Sequence, residues 1–363
     1  MNIFNSVLMH TNLTAGFRGL LGYAAGCWLL AAGCFGLFAS SAAAQTEAAS
    51  TSLEEVVVTA RKREESLQET PISVTAISAE TMTEANMVDL RDIGKYTPGM
   101  TFTSYGMGSS EAGAMFLRGI GQSDHLFTTD PGVGLYIDGV YVGRTQGTAL
   151  DLLDLEQVEV LRGPQGTLFG KNTIGGAVNV ISRKPSGETG GKLGVTVGDG
   201  GRLNGVASVE LGLGEQSAFS FGILSKVRDG VGEEVFTGTE SGDEDSISGR
   251  AQFYWHNSNT EFSVGTDFAK ARQQTAPHSL YESGIGTFDC YTQDNDGMYI
   301  QCASGVRGDP FDSYTLDELA SDQDLFGIAA TLTRDISDAL TFKSITAYRD
   351  MSFVGALEFD GSP

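Results

Sequence analysis

The chain has 363 residues, 40% of them hydrophobic and 19% charged, which is ordinary for a folded protein. Its 48 glycines against 8 prolines argue against a disordered linker and for turns in an all-β architecture. A formal net charge of -23 argues against nucleic-acid binding, which needs a basic face, and fits a solvated acidic surface or one facing cations or a metal chelate.

At the N-terminus, Arg18 precedes an apolar stretch from Gly19 to Phe38, and Ala42-Ala43-Ala44 supply small residues ahead of Gln45. This is the pattern of a cleaved export signal over 1–44. The stretch is long enough to be a membrane anchor, but Gly22, Gly26, Gly33 and Gly36 and its small-residue end favour cleavage. Cys34 follows Ala32-Gly33 as a lipoprotein site would, yet Ala31 stands where leucine is preferred. No other segment could span a bilayer as a helix, so a membrane protein here would be a barrel.

Leu53 to Ala60 reads LEEVVVTA, three valines in an extended segment of high β-propensity. Arg61 to Gln68 is charged and reads as mobile; Pro71 to Ile77 reads as a strand; Ser78 to Glu84 reads as a capped helix start. Leu90 to Pro98, LRDIGKYTP, runs into a Pro98-Gly99 turn signal. Thr101 to Ala114 and Gly121 to Pro131 are rich in Gly, Ser, Thr and Asp and lack a period. Asp138-Gly139 is a hairpin-turn signal before a strand at Val140 to Val142. Leu153 to Pro185 then holds two β-branched runs, Val158 to Leu161 and Ala177 to Ile181, around a segment with Gly163, Pro164, Gly166, Gly170, Gly175 and Gly176. Within it Gly170-Lys171 suggests a phosphate-binding loop, but Gln165 and Asn172 occupy the wrong positions and a strand follows.

Three pieces in one order carry a resemblance: FLRGIG at Phe116 to Gly121, VGLYIDGVYVGR at Val133 to Arg144, and VEVLRGPQGTLFGKNTIGGAVNVISRKP ending at Pro185. They resemble the plug domain of TonB-dependent outer-membrane receptors, and Leu90 to Pro98 resembles the family's plug helix that ends before a Pro-Gly turn. The resemblance implies an N-terminal mixed α+β plug at 66–186, followed by antiparallel transmembrane barrel strands over 190–363. It makes 45–65 the mature N-terminus, whose 53–60 stretch resembles the TonB box. Glu55, Val56, Val57, Val58, Thr59 and Ala60 would add as a strand to TonB of the inner-membrane energising complex, a recognition mode that uses backbone hydrogen bonds. The family's extra signalling domain would have no room in Gln45 to Ser52. Arg118 and Gly119, Asp138 and Gly139, and Arg162, Gly163, Pro164, Gly166, Gly175 and Gly176 are the plug motif residues. Arg118 and Arg162 are expected to pair with carboxylates of the plug or barrel wall. Asp124, His125 and Asp130 are candidate ligand contacts in an outward loop, with solvated loop residues as the plain alternative.

After Pro185 the texture becomes alternation: Leu193, Val195 and Val197; Phe219, Phe221 and Ile223; Phe262, Val264 and Phe268; Phe326, Ile328, Ala330 and Leu332. Period-two stripes of apolar against small or polar residues match barrel strands with lipid outside and a wet lumen inside, a soluble β-sandwich being the other solution. Short connections at Leu213 to Gln216, His256 to Thr260 and Ile336 to Asp338 alternate with longer ones at Asp229 to Asp245 and Gln273 to Asp322. About seven strands can be placed, against about 22 in plugged transporters, so the barrel is incomplete in this chain. Cys290 and Cys302 fall in the longest connection. They are the two cysteines left after export and read as a disulfide, with free thiols as the alternative; His278 alone is too little for zinc. Asp294 to Gly297 reads as a turn.

The expected function is TonB-dependent active transport of a scarce ligand, a ferric siderophore or other iron complex, by a monomer that contacts outer-membrane lipid and needs no cofactor or metal of its own. Cobalamin, haem or an oligosaccharide would use the same plug. A passive or adhesive barrel and a soluble exported carbohydrate-binding protein are the rivals. No catalytic constellation stands out, so no enzyme is expected.

Overall fold

The computed structural model describes residues 56–63, 65–105, 109–122, 129–144, 154–234, 237–274, 291–293, 299–301 and 320–355. The export signal, Glu55, Asp124, His125, Cys290 and Cys302 therefore lie outside the described residues.

The first part is built around one sheet. β1 (Val57–Val58) pairs antiparallel with β2 (Glu65–Ser66), and β3 (Val74–Ser78) follows. The charged Arg61 to Gln68 segment thus contains a paired strand rather than a free tether. Leu67 donates its amide to the Val56 carbonyl, so backbone bonding overrides the segment's polar composition. Ser78 caps α1 (Ala79–Glu84) by accepting the Thr81 amide, and Asp89 caps α2 (Leu90–Tyr96) in a capping box with Asp92. β4 (Met100–Tyr105) and β5 (Ser109–Leu117) form a hairpin extended by β6 (Ile120–Gly121). This corrects the irregular reading of Thr101 to Ala114. Met100 opposite Leu117 and Phe102 opposite Met115 form a buried stripe that the intervening Ser, Thr and Gly disguise.

β7 (Val133–Ile137) and β8 (Val140–Val142) flank the Asp138-Gly139 turn, where both residues have positive φ, 51° and 83°. β9 (Leu155–Arg162), the short α3 (Gly166–Phe169) and β10 (Gly176–Ser182) complete the unit. The sheet order is β3-β9-β10-β7-β8, with β10 parallel to β7 and the other pairs antiparallel. Alternation sorts its two faces. Val158, Val160, Val178 and Val180 pack with Ile77, Leu90, Ile93 and Leu135 under the helices. Leu161 and Ala177 face the other way, with Tyr136, Phe169, Val58 and Ala60.

The second part is a meander. β11 (Gly190–Val197), β12 (Leu203–Gly212) and β13 (Ser217–Arg228) lead to a side hairpin of β14 (Gly232–Glu234) and β15 (Thr239–Ser241). β16 (Glu244–His256) and β17 (Thr260–Gln274) come next, then the small pair β18 (Tyr291–Gln293) and β19 (Tyr299–Gln301). β20 (Ala320–Ser337) and β21 (Leu340–Gly355) end the described residues. The seven-stranded order β11-β12-β13-β16-β17-β20-β21 pairs each strand with its neighbour in sequence. Within this sheet the strands from β12 onward run 10 to 18 residues, enough for a tilted bilayer crossing, which takes about 9–11.

The predicted stripes fall on one face. Leu193, Val195, Val197, Phe221, Ile247, Phe268, Phe326, Ile328 and Phe342 are exposed, while Asn204, Glu210, Ser220, Lys226, Ser246, Ser248, Gln273 and Gln323 are buried on the opposite side. Apolar residues outside and polar ones inside invert the soluble pattern, as a lipid-facing wall demands.

Candidate functional site

β1 and the two residues after it, Thr59 and Ala60, lie on the sheet face that carries Leu161. Val58 and Ala60 are fully buried, and burying such a valine contributes on the order of 1.5–3 kcal/mol as an upper estimate. Val56 and Val57 stay exposed. Thr59 meets an unusual partner, the Glu159 carboxylate, which stands in the middle of β9 with no solvent exposure. The Thr59 amide donates to Glu159 Oε1 at 2.5 Å, and its hydroxyl lies 3.2 Å from both carboxylate oxygens. Gln157 Nε2 donates to the same Oε1 at 2.9 Å and to the Val57 carbonyl at 3.2 Å. Asn179, directly across the ladder from Glu159, donates to Oε2 at 3.3 Å and to the Thr59 hydroxyl at 3.2 Å. Burial pushes the Glu159 carboxyl above its ordinary range, and the Thr59 and Asn179 bonds offset part of that rise.

Three residues on, a turn closed by the Lys62 amide to the Thr59 carbonyl at 2.8 Å puts Lys62 at φ 64°. Its ammonium lies 4.2 Å from the centroid of the Phe169 ring and 5.2 Å from that of Tyr136. The shelf is rigid: the Tyr136 hydroxyl donates to the Phe169 carbonyl at 2.5 Å, the two rings meet edge to face, and burial pushes the Tyr136 phenol up to about 12. Lys62 also feels the charge of Lys343, a few residues after the short β20–β21 turn. The strand thus sits toward the end of the barrel sheet that carries the short turns.

The motif residues have mixed roles. Arg118 and Gly119 are the two turn residues between β5 and β6, at φ 53° and 77°. Arg162 Nη1 donates to the Pro98 carbonyl at 3.3 Å. Among the described residues neither arginine pairs with a carboxylate, against expectation. Arg162 is taken up by backbone carbonyl, and Glu159, two residues away, is committed to Thr59. Gly163 and Pro164 lead into α3, the helix that the glycines concealed, while nothing near Gly166 requires a glycine. Gly175 and Gly176 allow close approach, as a Cβ at Gly176 would fall 2.1 Å from the Leu161 carbonyl oxygen. Asp130 pairs with Arg144 at 3.0 Å and Lys171 at 3.6 Å. The Arg144 bond holds its carboxyl below the ordinary range, so it is a partner of the motif arginine and lysine.

Asp138 does more than turn the chain. A bulge between Ile181 and Ser182 aims Ser182 at it, so the Ser182 amide and hydroxyl donate to the Asp138 carboxylate at 2.8 and 2.7 Å. Arg250 of β16 reaches Ser182 Oγ at 2.5 Å. At the other end of the barrel sheet, where the long connections lie, a cavity of about 250 Å³ separates α2 from the wall. Asp89, Arg91, Arg202, Lys226, Arg228 and Glu244 line it. Neither Glu159 nor this cavity was foreseen. The available signal for Glu159 was a charge inside an apolar strand, which a buried strand tolerates only with partners.

The TonB-dependent Receptor Plug Domain family matches residues 66–177. Residues 66–177 are thus a TonB-dependent receptor plug domain, and the antiparallel strands after it resemble the barrels of TonB-dependent receptors. An iron-regulated outer membrane virulence protein of Vibrio cholerae serotype O1 is 29% identical over 280 residues, 75% of this chain and 39% of its own length. The vitamin B12 transporter BtuB of Vibrio vulnificus is 29% identical over 234 residues, 58% of this chain and 36% of its own. The crystal structure of the ferric yersiniabactin uptake receptor FyuA from Yersinia pestis superposes with a TM-score of 0.64 at 21% identity, covering 79% of this chain and 42% of that one. The chain thus spans less than half the length of these relatives, and its barrel is partial.

Proposed function

We propose that this protein imports an iron complex, a ferric siderophore first among them, across the bacterial outer membrane with energy supplied through TonB. The single observation that carries the reading is the seat of the Val57–Ala60 segment. It precedes the plug, lies toward the short-turn end of the barrel sheet, which is periplasmic in outer-membrane barrels, and rests on a few side-chain contacts and a two-residue pairing. Its backbone pairing is limited to two residue pairs, so that edge can be exchanged for pairing with a partner's edge strand. The charged cavity between α2 and the barrel wall lies at the end of the sheet that carries the long connections, where ligand would arrive. The iron-regulated Vibrio cholerae relative and the FyuA likeness favour an iron complex; the BtuB relative makes cobalamin the second reading. On this reading the protein binds and transports, acts as a monomer, and catalyses no bond change; export is by the cleaved signal at 1–44.

The test is uptake by a host carrying the full-length receptor, on a panel of ferric siderophores, haem and cobalamin. Val57→Pro removes a backbone donor from the exposed edge. Uptake of one iron complex should cease in this variant while binding of the same complex to whole cells is unchanged. Uptake that persists with Val57→Pro defeats the assignment of the coupling strand.

A further inference from the structure

If the Val56–Ala60 segment couples to TonB, as proposed above, its seat on the plug governs when it can do so. Two contacts on different elements fix that seat. The first is Glu159 of β9, an acid with no solvent exposure whose oxygens are surrounded by donors from Thr59, Gln157 and Asn179. A buried carboxylate in a sheet is costly unless its neighbours satisfy it, and an apolar residue would pack here at lower cost. Here two of its satisfying groups, the amide and hydroxyl of Thr59, belong to the coupling strand, so lifting the strand leaves Glu159 short of partners. The second contact is Lys62 over Phe169 and Tyr136. Phe169 belongs to α3, inside the Gly-rich segment between Arg162 and Gly176, and Tyr136 belongs to β7 beside the Asp138 turn. The two contacts bracket the turn from Thr59 to Lys62.

We propose that Glu159 and the Phe169–Tyr136 shelf form a two-point clasp on Thr59 and Lys62, and that this clasp sets how often the coupling strand leaves the plug. Glu159 and Phe169 are positioning residues: neither contacts a transported ligand. Because the shelf includes α3, a shift of the Gly-rich segment weakens one point of the clasp without breaking the β9–β10 ladder.

Hydrogen exchange on the full-length receptor in detergent, without TonB, tests this. Thr59 and Leu67 have amides bonded across the seat, so the 56–67 segment reports its opening. Glu159→Leu keeps the volume and removes every acceptor; exchange of 56–67 should accelerate about tenfold or more, the loss expected for bonds to a charged group. Glu159→Gln, which keeps an acceptor oxygen for the Thr59 amide, should return most of that protection. Lys62→Met, at an exposed turn that cannot disturb the sheet, should accelerate the same segment about threefold or more. In each case the 176–182 segment of β10 should exchange as in the wild type. Unchanged exchange of 56–67 in Glu159→Leu or in Lys62→Met, no recovery in Glu159→Gln, or equal acceleration in β10 overturns the clasp. The readout needs no TonB, so a receptor whose strand loosens as described but whose uptake ignores Val57→Pro would sink the coupling assignment and leave the clasp standing.

Discussion

At Gly176 the chain turns at φ 150°, and a methyl group there would meet the Leu161 carbonyl oxygen and the Leu117 side chain. The parallel pairing of β10 with β7 starts at this residue, so the backbone cannot retreat without breaking the ladder. Gly176→Ala should destabilise the plug by about 2–4 kcal/mol, combining overpacking with backbone strain, measured as the loss of denaturant resistance. Glu159 makes a prediction of a different kind. Burial raises its carboxyl, and the nearby Glu156 charge adds to the rise, while Thr59 and Asn179 oppose it. A group whose pKa is higher folded than unfolded favours the fold in its protonated form. Its contribution is therefore complete below the ordinary carboxyl range and is lost as pH climbs through the folded value. The denaturant midpoint of the wild type should rise relative to that of Glu159→Gln as the pH is lowered from neutral. Taking the difference cancels the other carboxylates, and a difference independent of pH would show that Glu159 does not titrate between the two states.

At the scale of elements, the capped start of α1 and the long strands were legible because their signals are local, while α2 was expected from the family resemblance and its Asp89–Asp92 capping box was not read. The period-two stripes that begin at Leu193 place the barrel strands and their outward face. The β4–β5 hairpin was not legible, since its pattern is carried by Met100, Phe102, Met115 and Leu117 among small polar residues, and only pairing reveals it. The four residues of α3 were hidden for a similar reason, because glycines on both sides signal turns whether or not one helical turn sits between them. Within the site, the valines of β1 could be read as a strand, but their seat could not. Glu159 is 100 positions from Thr59, and the charge only becomes informative once β9 is known to be buried. Arg118 and Arg162, expected to pair with carboxylates, pair with none among the described residues, where one occupies a turn and the other bonds a backbone carbonyl.

On the scale of the whole molecule, the plug is fastened to the wall where the plug sheet gives way to the barrel strands. Arg183, just after β10, donates to Asp154 at 2.8 Å and to Glu210 of β12 at 2.7 Å. Glu210 also accepts the Ser186 hydroxyl at 2.6 Å and the Gly187 amide at 3.0 Å. One nearly buried carboxylate thus organises the whole junction from 183 to 187, while Arg250 holds Ser182 from β16. On the proposed function, force applied at β1 would travel through the plug sheet, and the junction is the end that would have to stay fixed. Glu210→Ala strips the junction of its common acceptor. The cost should be about 2–4 kcal/mol locally, less than for a fully buried pair because Arg183 is partly exposed. Hydrogen exchange should accelerate across 183–189, while β12 and β13 keep their protection through the backbone ladder that joins them. If 183–189 exchanges as in the wild type, the β10 tie through Asp138, Ser182 and Arg250 anchors the plug by itself, and Arg250→Ala then becomes the variant whose plug loosens from the wall.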